Sequence, residues 1–430
     1  MLLYQKGSSE KLFRNMRSIM EGTQLSSAHG GLHKEEAADK MNACLPLFLE
    51  YGMTRGFRGN LWQAYLTELL LTDENAFSLA CERRKQPRGS ILQAAKKDLA
   101  EYRKLFIYDF APLANFLNVM DFSMVTDFVP ADDESRVFPA FTRDKIQLLV
   151  QDLAAAADDK EFLKQITAFY GTYGVGTAGL YKGFRIVEEG HDGTLKPIRE
   201  TSAARLDDLV GYDSAKKKLL ANTQAFLKGR PANNVLLYGE AGTGKSTCIK
   251  SICNMYFEQG IRVIEVYKYQ YRALGSIIRQ IRDRNYRFIL FMDDLSFEEF
   301  ETEYKYLKAI IEGGLEERPE NVLIYATSNR RHLIRESFAD RDGLDIGDKH
   351  TGDTMQEKLS LSDRFGLTIY FESPAQQEYH RIVEELALRA GIRMPKETLR
   401  LEATRWEMQH GGPSGRAAQQ FIDFLRGQEP

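Results

Sequence analysis

The sequence predicts an α/β protein in which a mainly α-helical region precedes a three-layer αβα core with a parallel five-stranded sheet and a C-terminal helical lid. Three observations predict this fold. Helical apolar patterns broken by Gly and Pro fill the first half, short apolar runs alternate with helical patterns in the second, and the pattern after Pro374 is helical again. The expected divisions are a helical N-terminal domain, a polar linker, the core and the lid, at residues 1–182, 183–204, 205–373 and 374–430.

The helical first half is predicted from apolar residues at helical spacing among charged ones. Three such stretches cover residues 61–71, 91–106 and 146–169. The Gly-rich segment 171–179 has two interpretations. A phosphate loop there would need a preceding buried strand and a Lys-Ser or Lys-Thr ending, and the sequence has neither. A helix end followed by a close-packed turn needs neither, so we expect the turn.

Five short apolar runs predict the sheet. They are almost continuously apolar, as are the strands of a parallel sheet that helices cover on both faces. The runs lie at residues 235–238, 263–267, 288–292, 322–325 and 367–371. Helical spacing between them predicts the covering helices, for example through Leu274, Ile277, Ile278 and Ile281.

The composition excludes several classes of protein. Apolar residues make up 43% of the 430 residues and charged residues 28%, which suits a globular chain with a real core. The net charge of -3 excludes a polybasic protein that binds nucleic acid through bulk charge, although it leaves a local basic patch open. No apolar run approaches the roughly 18 residues of a membrane span, so no membrane partner is expected. The four cysteines fit no zinc spacing or disulfide framework, which favours the cytoplasm.

The strongest motif is a phosphate-binding loop of the form G-x4-G-K-S between the first predicted strand and a helix. Glycines allow backbone N–H groups to point at phosphate oxygens, and the helix N-terminus adds a positive dipole end. Lys245 is expected to reach the terminal phosphates of a nucleotide, and Ser246 to ligate Mg²⁺. The expected nucleotide contacts are Gly239, Glu240, Ala241, Gly242, Thr243, Gly244, Lys245, Ser246 and Thr247.

Two adjacent acids end the apolar run at 288–292. Such a pair is costly to bury unless a cation compensates it. We expect Asp293 to hold Mg²⁺ together with Ser246, and Asp294 to orient and deprotonate an attacking water. The alternative is an ordinary exposed turn at a strand end.

Three further residues have both a functional and a simpler interpretation. Asn329 ends the run that starts at Val322. There it would either reach the terminal phosphate or the attacking water, or simply cap the next helix. Arg364 follows Asp363 and would most simply form a surface ion pair. Arg416 in the lid would most simply be a residue at a helix start.

Taken together, these motifs resemble those of the AAA+ ATPases over about residues 206–425. The segments 293–298, 325–333 and 361–366 more closely resemble a bacterial domain-of-unknown-function family (number 815) of AAA+ P-loop ATPases. That resemblance implies ATP and Mg²⁺ as ligands and a ring or spiral, typically of six subunits. It supplies an activity class and no biological task.

The resemblance also assigns roles to residues of this chain. Val210 and Gly211 would form the turn that contacts adenine, and Asn329 would be the first sensor. Arg364 would be the arginine finger that acts on a neighbouring subunit's nucleotide, and Arg416 would be the second sensor.

Some features depart from the family pattern or stand outside it. Most AAA+ proteins have Glu where this chain has Asp294, whose shorter side chain favours slower turnover. The next acids, Glu298 and Glu299, are expected to face solvent or cap a helix. The basic turn at 330–332 is expected either to contact a partner, a neighbouring subunit or a phosphate backbone, or simply to be solvated. The charged stretch 336–357 is expected to be an insertion, to which we assign no ligand.

The expected function is therefore Mg²⁺-dependent ATP hydrolysis that remodels or loads an unidentified protein partner. The alternative is a slow-turnover, ATP-controlled switch or loader that acts mainly as a binding module. A nucleic-acid loader belongs to this alternative, but the net charge of -3 does not support it.

Overall fold

The computed structural model divides the chain into two compact units, Met1–Tyr181 and Lys182–Pro430. The residues that the structure describes are 1–25, 34–83, 86–117, 122–132, 134–189, 192–297, 301, 303–312, 319–331, 333 and 361–428. Four features discussed above lie outside the described residues: Glu298, Glu299, His332 and the stretch 336–357.

The described part of the first unit is helical, as the sequence predicts. Its helices are α1 (Gln5–Ser8), α2 (Lys11–Leu25), α3 (Lys34–Arg55), α4 (Leu61–Thr72), α5 (Ala76–Glu82), α6 (Gly89–Phe106), α7 (Ala111–Leu117), α8 (Ser123–Thr126), α9 (Ala140–Ala154), α10 (Asp159–Tyr173) and α11 (Gly176–Leu180). Asn60 caps α4 by accepting a hydrogen bond from the Gln63 N–H at 3.1 Å. The fully buried Trp62 in that helix donates its indole N–H to the carbonyl of Leu105.

The stretch 146–169, predicted to be one helical pattern, is two helices, α9 and α10. The break has a local cause, because the Asp158 side chain accepts a hydrogen bond from the Glu161 N–H at 2.8 Å and so starts a new helix.

The Gly-rich segment 171–179 is a helix end and a turn, as expected. Helix α10 ends at Tyr173, Gly174 has a φ of 84°, and α11 begins two residues later. A Cβ built at Gly176 would lie 1.8 Å from a carboxylate oxygen of Glu74. A carboxylate packed against this turn opposes a bound phosphate.

The second unit contains a seven-stranded sheet. Its strands are β1 (Gly183–Glu189), β2 (Asp192–Ile198), β3 (Val235–Gly239), β4 (Ile261–Glu265), β5 (Arg287–Met292), β6 (Val322–Ser328) and β7 (Leu367–Phe371). The strand order is β2-β1-β4-β5-β6-β3-β7, and all neighbours are parallel except β1 and β2. The α/β prediction and its five parallel strands are confirmed, and two strands are added to them.

The two added strands occupy most of the stretch 183–204, which we expected to be a linker. β1 pairs in parallel with β4, and β2 pairs with β1 in antiparallel fashion. The side chains of Phe184 and Ile186 are buried, while those of Arg185 and Val187 between and beyond them are exposed. This alternation is the pattern of a half-buried strand, and the polar composition of the stretch conceals it.

Helices cover the sheet and form the lid. They are α12 (Asp213–Leu227), α13 (Lys245–Tyr256), α14 (Leu274–Ile281), α15 (Glu303–Glu312), α16 (Gln376–Ala390), α17 (Lys396–Gln409) and α18 (Gly415–Gln428). The main apolar core includes Phe226 and Ile252 from the helices and Leu237 and Ile289 from the strands. The lid, α16 to α18, has its own core around Tyr379 and Phe421.

Two further properties concern the whole described chain. No helix in the described ranges combines the length and the apolar character that crossing a membrane requires. All four cysteines are buried and form no disulfide.

Candidate active site

The ends of three parallel strands bring the predicted motifs together. In the sheet, Tyr238 of β3 lies beside Ser328 of β6, and Met292 of β5 lies beside Ala326 of β6. The residues that follow these strands therefore emerge at one edge of the sheet. This is the position at which open parallel sheets bind ligands.

Glycine is required where the phosphate loop begins. Gly239 has a φ of 133°, and a Cβ built there would lie 2.0 Å from the carbonyl oxygen of Phe371 in the neighbouring strand β7. The next residue, Glu240, donates its N–H to the same carbonyl at 3.2 Å. The close approach of two backbones, rather than flexibility, thus explains this glycine.

We expect Gly239→Ala to reduce the free energy of unfolding of the second unit by about 3 kcal/mol, because strain and overpacking act together. Gly391→Ala is the matched control, since Gly391 also has a positive φ of 75° but has open space around it. It should cost only about 1 kcal/mol. Urea denaturation followed by circular dichroism measures the free energy of unfolding of both variants. An equal loss in the two would show that the contact between Gly239 and Phe371 is not tight.

Lys245 is an almost fully buried cation at the start of α13, with 6% of its surface exposed. Its ammonium group donates hydrogen bonds to the carbonyls of Gly239 at 2.8 Å and Glu240 at 2.7 Å, and to Asn329 Oδ1 at 3.1 Å. Burial lowers the pKa of Lys245, and the carboxylates of Asp294, Glu240 and Asp293 partly oppose that shift. The loop thus holds a cation with little access to water.

Asp293 and the loop serine are in direct contact. Ser246 Oγ donates to Asp293 Oδ1 at 2.5 Å, and Thr327 Oγ1 donates to the same oxygen at 2.6 Å. Both acids are exposed rather than buried. The hydrogen bonds from Ser246 and Thr327 therefore fix the Asp293 carboxylate at the strand end.

Asp294 has an unusual backbone conformation. Its φ is 52°, in the left-handed region, which costs a non-glycine residue about 1–2 kcal/mol. Its N–H donates to Thr327 Oγ1 at 2.9 Å, and its Oδ1 accepts a hydrogen bond from Asn329 Nδ2 at 2.9 Å. Asn329 therefore bridges Lys245 and Asp294, one through its oxygen and the other through its nitrogen.

The lid contacts the loop through its last helix. The Arg416 N–H donates to the carbonyl of Gly242 at 3.1 Å, and a Cβ built at Gly242 would lie 3.0 Å from Arg416 Cβ. Ser414 caps α18 by accepting a hydrogen bond from the Ala417 N–H. The Arg416 charge adds to the lowering of the pKa of Lys245, of which burial is the main cause.

A cavity of about 590 Å³ lies between the loop and the lid, and we call it the loop–lid cavity. Its lining residues are Asp208, Leu209, Val210, Tyr212, Ala241, Gly242, Thr243, Gly244, Lys245, Ser246, Thr247, Asp293, Asp294, Thr327, Asn329, Ile382, Leu386, Gly415, Arg416, Gln419 and Gln420. It is polar at the loop and acid pair and apolar where Leu209, Ile382 and Leu386 lie.

Four of the residues singled out from the sequence are outside this lining, which consists of described residues. Gly239 and Glu240 are the first two residues of the loop, and their carbonyls accept hydrogen bonds from the Lys245 ammonium group. Gly211 has a φ of 80° and lies against the Glu378 carboxylate of the lid. Arg364 is exposed on the segment before β7.

The structure adds residues to the site that our sequence analysis missed. Thr327 touches both acids and precedes Asn329 by two residues in a polar strand end, which is a signal that could have revealed it. Tyr212 follows the Val210-Gly211 turn, has a φ of 59° and stacks on Phe371. Ile382 and Leu386 come from the lid at helical spacing, and spacing alone does not distinguish them from lid core.

The donor set fits a nucleotide with Mg²⁺. Ser246 Oγ and Asp293 Oδ1 are hard oxygen atoms in contact with each other, and both would suit Mg²⁺. Among the described residues there is no group of three or more His, Cys, Asp or Glu that would suit a metal on its own. Mg²⁺ needs no such group beside a nucleotide, because it is commonly held by one or two protein ligands, water and the phosphates.

Several known proteins are similar to parts of this chain. The chain is 34% identical over 76 residues to the replication factor C large subunit of Staphylothermus marinus, a match that covers 17% of this chain and 17% of that protein. Among solved structures, it is similar to the RuvB Holliday junction branch migration motor of Thermotoga maritima, with 19% identity and a TM-score of 0.36. It is also similar to a RuvB variant from that organism, with 20% identity and a TM-score of 0.36. Each RuvB match covers 52% of this chain and 64% of the other.

A protein family as a whole also matches the chain. The match covers residues 181–429, which is more than half of the chain and nearly the entire second unit. The matched region contains the phosphate loop, the acid pair, Asn329, Arg364 and the lid. The chain therefore belongs to the family described as Protein of unknown function (DUF815).

Proposed function

We propose that this protein binds ATP with Mg²⁺ in the loop–lid cavity and hydrolyses it. The observation that carries the proposal is the convergence of Lys245, Asn329 and Asp294 in one hydrogen-bonded chain beside the Ser246–Asp293 contact. A cation, two acids and a bridging amide at the start of a helix suit phosphoryl transfer. A purely structural phosphate site would not need the acids.

The roles of the residues follow from their positions. Lys245 and the loop N–H groups would neutralise and orient the β- and γ-phosphates, and Arg416 would do so from the lid. Ser246 and Asp293 would hold Mg²⁺, which when bound offsets charge on the phosphate oxygens. Val210, Ile382 and Leu386 would pack against the base.

Asp294 would act as the general base. It would accept a proton from water as the water oxygen bonds to the γ-phosphorus and the bond from that phosphorus to the bridging oxygen breaks, releasing ADP and phosphate. The Asn329 amide would keep the Asp294 carboxylate oriented, as the 2.9 Å hydrogen bond supports.

We further propose that the chain assembles head to tail into a ring or spiral, with six subunits by resemblance to its family. Arg364 is exposed and outside the lining of its own chain's cavity, which suits a residue that reaches the nucleotide of a neighbour. Changes in lid position and subunit contact would then remodel or load a partner protein.

The experiment that tests hydrolysis is Asp294→Asn. Asn keeps the size and an acceptor but cannot take a proton, so we expect ATP binding to remain and phosphate release to fall by about 10²–10⁴-fold. Asp283→Asn, an exposed acid outside the cavity lining, is the matched control and should release phosphate at the parent rate. If Asp294→Asn released phosphate at the parent rate, another residue would have to be the general base.

A second candidate is an ATP-controlled switch with slow turnover. The shorter carboxylate of Asp294, already hydrogen-bonded to Asn329, favours it. Under this proposal a single turnover would be much slower than ATP binding, and partner binding would depend on ATP rather than on hydrolysis. Comparing single-turnover with steady-state phosphate release separates the two.

A further inference from the structure

Thr327 connects the two acids of the site through one hydroxyl group. It lies in β6 with only 2% of its surface exposed. Its Oγ1 donates to Asp293 Oδ1 at 2.6 Å and accepts the N–H of Asp294 at 2.9 Å. Its own carbonyl accepts the N–H of Leu295 at 2.7 Å. One residue of β6 therefore holds three consecutive residues after β5.

These contacts explain how Asp294 keeps its left-handed backbone. A non-glycine residue remains in that region only where its surroundings determine it. Thr327 accepts hydrogen bonds from two consecutive backbone N–H groups: its hydroxyl accepts that of Asp294, and its carbonyl accepts that of Leu295. With the backbone held in this way, Asp294 Oδ1 meets Asn329 Nδ2.

The hydroxyl is the chemical feature that this geometry requires. A hydroxyl group donates and accepts at the same time, whereas a carboxylate only accepts. The hydroxyl proton of Thr327 is therefore directed to Asp293, and an oxygen lone pair is left for the Asp294 N–H. Ser can make both contacts, while Val and Ala can make neither.

We propose that Thr327 is a positioning residue that sets the metal-ligating Asp293 and the base Asp294 relative to each other. This inference rests on the proposed ATPase function and assigns to that site a residue that acts through the two acids. Residues that orient ligands in this way typically change metal affinity or activity by about 10–100-fold when removed.

The test compares Thr327→Val, which keeps the shape, with Thr327→Ser, which keeps the hydroxyl. The probe is a fluorescent ATP analogue titrated first in EDTA and then with Mg²⁺. In EDTA we expect both variants to bind it within about 2-fold of the parent, because Lys245 and the loop are intact. The Mg²⁺ concentration needed for half-maximal effect should rise about 10–100-fold in Thr327→Val and stay near the parent value in Thr327→Ser.

Phosphate release provides the second readout. Its rate at saturating ATP should fall about 10–100-fold in Thr327→Val, with little change in KM, and recover in Thr327→Ser. Ser328→Ala is the matched control, since Ser328 is the next residue, is equally buried, and bonds to the Arg330 N–H instead of the acids. It should behave as the parent.

Several outcomes would overturn the inference. The inference fails if Thr327→Val keeps both the Mg²⁺ dependence and the phosphate-release rate of the parent. It also fails if Thr327→Ser loses as much Mg²⁺ affinity and activity as Thr327→Val. If Thr327→Val does not fold, Thr327→Ala and Thr327→Ser, which differ only in the hydroxyl, must differ in the same way, and equal behaviour contradicts the proposal. A parent protein that neither binds nor hydrolyses ATP would instead mean that the proposed function itself has failed.

Discussion

Lys245→Ala is expected to abolish tight binding of ATP. The ammonium group is nearly buried at the base of the loop and is fixed by two backbone carbonyls and Asn329. The parent should be stabilised by about 2.7 kcal/mol when free ATP is 100 times its Kd, which for a unit of this size corresponds to a rise in Tm of roughly 5–10 °C. The variant should show no rise.

The matched control for this change is Lys250→Ala. Lys250 lies on the same helix, is exposed, and is outside the lining of the loop–lid cavity. It carries the same charge, so a general electrostatic effect would appear in both variants. Thermal shift in ATP with Mg²⁺ measures them, each against its own Tm without ligand. If ATP raised the Tm of Lys245→Ala as much as it raises that of the parent, this loop would not be the nucleotide site.

Arg364→Ala is expected to bind ATP normally and hydrolyse it about 10³-fold more slowly or worse, because an arginine supplied in trans is worth that much in related phosphoryl transfers. The residue is exposed and does not line its own chain's cavity. Arg393→Ala, another exposed arginine outside that lining, should leave the rate unchanged. If Arg364 only pairs with Asp363, its replacement would also leave the parent rate.

Mixing variants tests whether Arg364 acts between subunits. The Arg364→Ala chain keeps its loop, and the Lys245→Ala chain keeps its arginine. In a mixed assembly the first would bind ATP and the second would supply the finger, so part of the phosphate release should return. Light scattering should show larger particles with ATP. The head-to-tail assembly would be contradicted if the mixture of the two variants released no phosphate and if light scattering showed a monomer under all nucleotide conditions.

The fold was largely predictable because its signals are local. The run at 367–371 coincides with β7, and the phosphate loop follows a buried strand and starts α13 as expected. The hairpin of β1 and β2 was missed because its polar composition resembles a linker. Its place depends on pairing with β4, whose paired residues lie 80 positions further along the chain, from Gly183 to Val263, and no local pattern encodes that pairing.

The candidate site was predictable where a short motif and the strand or helix next to it together indicate the chemistry. The motifs supplied Lys245, Ser246 and the acid pair, since the chemistry of each follows from a strand end or a helix start. Thr327 depends on the register of β6 against β5, which decides what lies beside Asp293. The lid residues at the cavity depend on how α16 packs over the loop, and helical spacing predicts a buried face without naming its neighbour.

The most direct test of the central claim is to measure ATP binding and phosphate release by the parent chain in one sample, with and without Mg²⁺. We expect one ATP bound per chain and phosphate release that requires Mg²⁺, with both signals lost in Lys245→Ala. Failure of the parent chain to bind ATP at millimolar concentration with Mg²⁺, or binding that Lys245→Ala retains in full, would contradict the claim that the loop–lid cavity is an ATPase site.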